Sequence, residues 1–450
     1  MQFELTSELV DSLREAIDHK DSSFVKEQLK DLYAPDIASI INQLDLQEAA
    51  FIYELLDEDT APNVLLELED DTREDLLATF SSKRIADQIN NMDSDDAADV
   101  ISELPEDIQE EVLSHIDDID QASDIAELIT YGEGTAGSLM AKELVSVYSF
   151  ESVTQCIEEI RKQAEDVDVL YAVYVLDSGD RLIGMLSLKK LIISNPMARV
   201  EEIYEPDIHL VKTSASTEEV AEYMQKYDLV VLPVVDEEGK LLGRITIDDV
   251  MDVIKESTDE NIQRMSGISD DVDSNDRLWP LSKARIPWLL VGLCGGIVGS
   301  RIIGSYEDQI RIHPEMAYFI PLIGAMGGNV GVQCSAIVVQ GLANNTLLGD
   351  NIGPKLIKEL GVGLINGLIC SGLIWAYAFL IEDWQLAATV SAALLTVILC
   401  ASFLGTFVPM TMNRFKINPA LATGPFVTTL NDVIGITIYF LMGRFLYSFF

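Results

Sequence analysis

The feature that most narrows the fold of this 450-residue chain is a set of long stretches without a charged side chain. They run Ile286–Ser300, Met316–Gly349, Leu360–Ile381, Trp384–Asn413 and Ile417–Asn431, the last continuing past Asp432 to Gly443. Crossing a bilayer takes about 20 mainly apolar residues. In lipid the backbone must satisfy its own hydrogen bonds, so the spans are expected to be helices. Five membrane helices are predicted; the first stretch is the shortest and has Arg301 at its end, so its boundary is set least sharply. Basic residues mark the expected cytoplasmic loops. Lys283 and Arg285 precede the first span, Lys355 and Lys358 follow the second, and Arg414 and Lys416 follow the fourth. The loop around Glu382 and Asp383 has no base, and that between spans one and two carries Arg301 and Arg311. Five crossings from a cytoplasmic start put the C-terminus outside.

Charge divides the chain at the same place. Residues 280–450 hold eight acids and nine bases, net +1, which leaves 67 acids and 21 bases, net −46, for residues 1–279. Phosphate binding needs clustered Lys and Arg, so nucleic acid is excluded as a partner of the acidic part. Repulsion on this scale calls for counterions, and cations are the natural ligands. The five cysteines form no CxxC and the four histidines are scattered, which argues against thiolate or imidazole metal sites. The first residues lack the basic and apolar regions of a signal peptide, so the acidic part is expected in the cytoplasm.

Asp432 is the only acid after Asp383. A carboxylate at bilayer depth costs roughly 2.5–3.5 kcal/mol and usually faces a cavity, an ion path or a partner. Arg444, the only later base, lies about 18 Å further along a helix, out of reach. Gly424, Thr428 and Asp432 are spaced by four and so share a face of a continuous helix. Within such a helix Pro425 would deprive the Leu421 carbonyl of its donor. A carbonyl, a glycine, a hydroxyl and a carboxylate suit a hard cation that keeps its waters, as magnesium does. One Asp is sparse for a pore, and a two-fold dimer would supply a second. Glycine pairs at a spacing of four (Gly292 and Gly296, Gly295 and Gly299, Gly363 and Gly367) are expected to serve helix packing.

The acidic part holds two duplications. Val175-Leu176-Asp177 through Arg181–Leu188 recurs at an offset of 59 as Val234-Val235-Asp236 through Lys240–Ile247. Each copy reads strand, turn, strand, helix, and the pair resembles tandem CBS domains. In that family G-x-x-[ST]-x-x-D marks a ribose site. Gly243, Thr246 and Asp249 match it, whereas Lys190 replaces the acid in the first copy. A weaker duplication, offset 48, relates Ile41-Asn42, Asp45 and Ala49-Ala50 to Ile89-Asn90, Asp93 and Ala97-Ala98, as in stacked helical repeats. Two acid clusters stand out: Asp93, Asp95, Asp96 and Asp99, and Asp248, Asp249 and Asp252. Two such helix faces repel unless a divalent ion lies between them. From Asp249 to about Gly267 the pattern is helical and leads into the polar run Ser269–Asp276, so it is a coupler by position.

In this order the parts resemble the MgtE family of magnesium channels and transporters. Pro321 with Gly327-Gly328-Asn329-Val330-Gly331-Val332-Gln333, and Asn418-Pro419-Ala420, Gly424-Pro425, Thr428 and Asn431-Asp432, carry the likeness. It implies a multidomain architecture. An all-α acidic superhelical domain covers 1–135, and α/β CBS domains cover 136–200 and 201–262. A connecting (plug) helix with an acidic linker covers 249–278, and five all-α membrane helices cover 280–450. It further implies a homodimer in the cell membrane whose pore binds Mg2+ at Asp432, Thr428, Gly424 and Leu421. Cytoplasmic Mg2+ would bind at Asp95, Asp99, Glu218, Asp228, Asp249, Asp252 and Glu260 and hold the pore shut, with ATP as a further ligand of the CBS pair. Ser216 and Ser257 stand where some relatives have acids, and Gly424 where some have Asn. The chain is thus read as an uptake channel or transporter, not an enzyme, and no P-loop GxxxxGK[ST] suggests ATP-driven pumping. The alternatives are a carrier of another divalent ion such as Co2+ or Mn2+, a Mg2+ exporter, and a membrane-anchored CBS nucleotide sensor without transport.

Overall fold

The computed structural model describes residues 5–164, 167, 169–269, 272, 278–343, 352–381 and 383–449. These fall into two compact units, Met1–Lys255 and Glu256–Phe450.

Among the described residues, the first unit begins with ten short helices: α1 (Ser7–Asp18), α2 (Ser22–Leu29), α3 (Ala34–Ile41), α4 (Leu46–Tyr53), α5 (Thr60–Leu66), α6 (Asp70–Leu77), α7 (Ser82–Ile89), α8 (Ser94–Ser102), α9 (Glu106–Leu113) and α10 (Ile119–Leu128). The expected repeat is visible in the caps. The Asn42 side-chain oxygen accepts from the Glu69 N–H at 3.3 Å, and Asn90, its counterpart in the second repeat, accepts from Asp117 at 3.2 Å. Asp45 caps α4, accepting from the N–H groups of Gln47 and Glu48 in a capping box.

The expected CBS pair follows. Its first copy is β1 (Val145–Tyr148), α11 (Val153–Gln163), β2 (Val173–Leu176), β3 (Leu182–Leu186) and α12 (Leu188–Ile193). The second is β4 (Val211–Lys212), α13 (Thr217–Tyr227), β5 (Val231–Val235), β6 (Leu241–Thr246) and α14 (Ile247–Ser266). In each sheet the first strand runs parallel to the second and the second antiparallel to the third. The register slips between Val175 and Leu176 and again between Val234 and Val235. The two hairpin turns also agree: Asp177 accepts from the Gly179 and Arg181 N–H groups, and Asp236 from those of Glu238 and Lys240. Asp180 and Gly239, at equivalent places in the two turns, both take positive φ, +63° and +86°.

Each sheet is extended by the segment leading into the other copy, through the bridges Ala141 with Arg244 and Glu205 with Met185. Glycine is required there. A Cβ at Gly243 would lie 2.7 Å from the Ala141 carbonyl oxygen, and one at Gly184 would strike Tyr204 and the Glu205 carbonyl. One apolar core joins the helical repeats to the second CBS copy, through Ile101, Leu128, Met140, Met224, Ile245 and Val250.

The second unit holds the later turns of α14, then α15 (Leu278–Ser305), α16 (Glu307–Ile312), α17 (Ile320–Ala343), α18 (Ile352–Ile381), α19 (Trp384–Arg414) and α20 (Pro425–Tyr447). Among the described residues, five segments are long and apolar enough to cross a membrane: Leu278–Ser305, Pro314–Ala343, Gly353–Ile381, Trp384–Arg414 and Pro419–Tyr447. Some glycines do serve close packing: Gly363 meets Ser402, Gly367 meets Leu395, and Gly405 abuts the Gly331 carbonyl. The buried Tyr439 hydroxyl donates to the Met316 carbonyl at 2.9 Å.

The fifth span departs from the expectation of one continuous helix. A 3-10 turn, Pro419–Ala422, precedes α20, and Pro425 is the first residue of that helix. Proline at this position gives up an N–H that has no helical partner anyway. The Leu421 carbonyl therefore lies in the turn and is not a defect inside a helix, contrary to the expectation from sequence. α14 ends at Gly267 with φ +81°, the Ile268 N–H closing back on the Gln263 carbonyl. The acidic linker 270–277 lies outside the described residues except at Val272.

Candidate metal sites

In the membrane unit, Asp432 reaches a cavity of about 600 Å³ lined by α15, α17 and α20. Thr428 and Asp432 are on its wall with Gly292, Gly295, Gly296, Pro321, Gly324, Gly328 and Asn329. Asp432 Oδ1 would be 3.6 Å from a Cβ added at Gly324 or at Gly328, so the carboxylate is approached by backbone that carries no side chain. Asp432 makes no hydrogen bond or ion pair among the described residues. Gly424 caps α20, and its carbonyl accepts from the Thr428 N–H at 3.3 Å and hydroxyl at 3.1 Å. That carbonyl is thereby engaged locally, and neither Gly424 nor Leu421 lines the cavity.

The glycines of α15 are spaced by four and read from sequence as packing residues, which holds for Gly295, pressed on Thr429; Gly324 of α17 carries no mark in the sequence. Gly292 and Gly296 have nothing near a Cβ and instead open the cavity. The mouth of the fifth span is met by the end of α14. The Asn418 side-chain amide donates to Asn261 at 3.4 Å, and the Gly424 backbone is pressed against the Met265 carbonyl.

In the first unit the acids of α8 lie close enough to those at the start of α14 to raise one another's carboxyls. Asp95 is 9 % exposed and its Oδ1 is buried without a hydrogen-bond partner. Burial, then Asp96 and Asp249, push its carboxyl well above the ordinary range. Asp96 is pushed up to about 7 by burial, then by Asp249 and Asp93. Asp99 rises to about 6, chiefly by burial, with Glu103 raising it and Arg73 opposing. Asp249 is raised by burial, against hydrogen bonds from Thr246. Asp249 Oδ2 accepts from the Thr246 N–H at 2.9 Å and hydroxyl at 2.7 Å, closing the first turn of α14. Acids this crowded and poorly solvated are a natural seat for a hard divalent cation.

Of the other predicted sensor residues, Asp252 is exposed on α14 and Glu218 is exposed in the first turn of α13. Asp228 ends α13 in a left-handed conformation, φ +53°. Glu260, in the second unit, pairs with Arg264 at 2.9 Å. Ser216 caps α13 by accepting from the Glu219 N–H. In the first CBS copy Lys190, in place of the acid, pairs with Glu205 at 2.9 Å. Glu143, on the segment before β1, is absent from the residues predicted from sequence. One oxygen each from Asp93, Asp95 and Glu143 lies within 4.8 Å of the others. Nothing in the local sequence marks Glu143, because the fold brings it to α8 from a distant stretch of chain beyond α10.

Comparison with known proteins agrees with this layout. A family model described as a divalent cation transporter (MgtE) matches residues 320–442. Models of the MgtE intracellular N domain and of the CBS domain match residues 32–134, and 136–194 and 200–256. The magnesium transporter MgtE of Thermus thermophilus is 35 % identical over 326 residues, 72 % of this chain and of the relative. That of Enterococcus faecalis is 32 % identical over 325 residues, 71 % of each chain. A crystal structure of the cytosolic domain of the Mg2+ channel MgtE in complex with ATP has 33 % identity and a TM-score of 0.50. It covers 54 % of this chain and 99 % of that one.

Proposed function

The chain belongs to the MgtE family and transports Mg2+, and we propose that the ion passes beside Asp432 as a gated channel for uptake into the cell. The observation that carries this reading is a carboxylate at bilayer depth, without a cationic partner among the described residues, on the wall of a glycine-lined cavity. Magnesium sheds water reluctantly and is commonly held through one or two carboxylates with its waters kept. Backbone without side chains leaves room for that hydrated ion. Thr428 supplies a hydroxyl one turn before Asp432, while Gly424 and Leu421 shape the entrance through their backbone. The assembly we favour is a homodimer that doubles the carboxylate, with the N-terminal part cytoplasmic and the C-terminus outside.

Closure follows from the cytoplasmic acids. With little Mg2+, Asp95 and Asp99 repel Asp249 and Asp252, and packing of α8 against α14 is weakened. With ample Mg2+, ions between them favour the packed arrangement and hold α14, whose far end meets the fifth span. Glu218, Asp228 and Glu260 join as more exposed ligands. Ions bound only by the closed state shift the balance steeply with concentration. We further assign ATP to the CBS pair at Gly243, Thr246 and Asp249, supported by the motif and by the ATP complex of a relative's cytosolic domain.

The test is Mg2+ flux into liposomes at varied internal Mg2+. Wild type should conduct at low and close at high internal Mg2+, and Asp432→Ala should not conduct while folding normally. Undiminished flux through Asp432→Ala would refute the pathway.

A further inference from the structure

We propose that Asp93, Asp95 and Glu143 form a hard divalent-cation site of their own, which fastens the segment leading into the first CBS copy onto the N-terminus of α8. The three carboxylates each place one oxygen within 4.8 Å of the others. An octahedral Mg2+ with oxygens at about 2.1 Å spaces them about 3.0–4.2 Å apart, so only a small contraction closes the triad. The Arg244 guanidinium, 3.9 Å from Asp93, leaves three carboxylates and one base with two net negative charges, which one divalent ion neutralises.

An observation beyond clustering points to a ligand. Asp95 is 9 % exposed, belongs to the triad, and its Oδ1 is buried without a hydrogen-bond partner. A carboxylate in that state calls for a cation. The placing of Asp93 agrees. It stands at the N-cap of α8, where its side chain makes no cap hydrogen bond, whereas Asp45 at the same place in the first repeat makes a full capping box. The Asp93 oxygen is turned to the triad instead.

Glu143 is positioned for the task before any ion arrives. Its two oxygens accept from the Ser94 N–H at 3.1 Å and the Ser94 hydroxyl at 2.9 Å, and the Ser94 hydroxyl also accepts from the Lys142 N–H at 2.9 Å. Ser94 thereby clamps Glu143 beside Asp95. The Lys142 ammonium is engaged elsewhere, 2.9 Å from Glu127, and so does not fill the triad. This site deepens the sensor reading and rests on it only for its effect on gating; ion binding stands by itself.

The experiment is calorimetric titration of the full-length protein in detergent with Mg2+ alone, comparing wild type, Glu143→Gln, Asp93→Asn and Asp249→Asn. Gln keeps the shape and can still bond Ser94, and Asn is a good helix cap, so both triad variants retain the fold. Each is expected to bind one Mg2+ fewer per chain than wild type, while Asp249→Asn keeps the triad ion. Asp95 is left intact because it faces both sites. Full stoichiometry at unchanged affinity in both Glu143→Gln and Asp93→Asn overturns the proposal. Loss of one ion with unaltered Mg2+ closure in liposomes upholds the site and overturns its part in gating. Loss of closure in Asp249→Asn with the triad ion retained keeps the two questions apart.

Discussion

Asp432 stands on the wall of a cavity with no cationic side chain paired to it among the described residues, whereas Asp95, Asp96 and Asp99 crowd against Asp249 inside a folded domain. Both places concentrate negative charge that ordinary folding would avoid. They differ in what surrounds the charge. Around Asp432 several neighbours are glycines, so the space is open. Around Asp95 the neighbours are other carboxylates on packed helices, so an ion would be trapped and its binding would change how the helices pack. Glu359 marks a third case. It is a buried acid in a membrane helix too, but Lys355, one turn earlier, lies 3.5 Å away. An acid meant for packing carries its own base.

The sharpest way to break this comparison is to fill the space around Asp432 while leaving the charge. Gly328 lies where a Cβ would be 3.1 Å from Thr428 Cγ2 and 3.6 Å from Asp432 Oδ1. Gly328→Leu should reduce Mg2+ flux in liposomes to the level of empty vesicles while the cytoplasmic acids still bind Mg2+. Conduction at wild-type rate would mean that ions travel elsewhere. Next in size is removal of the trapped charge. Asp95→Asn with Asp249→Asn and Asp252→Asn should raise the internal Mg2+ needed for closure by about tenfold or more. An unmoved closure curve would sever the link between these acids and the gate.

The pH dependence sharpens the same contrast. Asp96 is pushed up to about 7 and Asp99 to about 6 by burial and neighbouring carboxylates. Acids raised in the packed state make that state less stable once they ionise. Without Mg2+ the stabilisation is fully present below their ordinary carboxylate range and is lost as pH rises through about 6 and then about 7. Metal-free protein should therefore melt at higher temperature on going from about pH 8 to about pH 5.5. Protons relieve the same repulsion that Mg2+ relieves and favour the packed, closed arrangement, so the Mg2+ needed for closure should fall over the same fall in pH. A metal-free melting curve insensitive to pH in this window would mean the acids are solvated and not crowded.

Much of this is legible in the sequence because it rests on periodicity. The offset of 59 becomes two sheets with the same register slip, at Val175 and at Val234, and the uncharged stretches become long helices. Asp432 stands out because one charge in an apolar run has no local excuse. What cannot be read is meeting across distance. Glu143 lies on an ordinary-looking connection and reaches α8 only because Ala141 pairs with Arg244 and Ser94 bonds Glu143. The glycines of α15 look like packing residues, and whether such a residue faces a neighbour or an opening depends on helix rotation. The break before α20 is hidden because proline is compatible with a kink inside a helix and with its first turn; hydropathy does not choose between them.

The smallest expected effect separates capping from charge storage in the two helical repeats. Asp45 and Asp93 hold equivalent positions in these repeats, but only Asp45 caps the following N–H groups. Asp45→Ala removes those bonds and should destabilise the domain by about 1 kcal/mol, as loss of an N-cap usually does. Asp93→Asn should destabilise metal-free protein by about 0 kcal/mol or slightly stabilise it, because Asn can cap the helix and one member of a repelling set is gone. The check is urea unfolding of both variants with Mg2+ chelated, then with Mg2+ in excess. In excess Mg2+ the order should close up, with Asp93→Asn losing the ion's contribution and Asp45→Ala keeping it. If Asp93→Asn were the more damaging change in chelator, the Asp93 charge would be stabilising the metal-free fold, as through Arg244 at 3.9 Å, and the division of labour between the two repeats would fail.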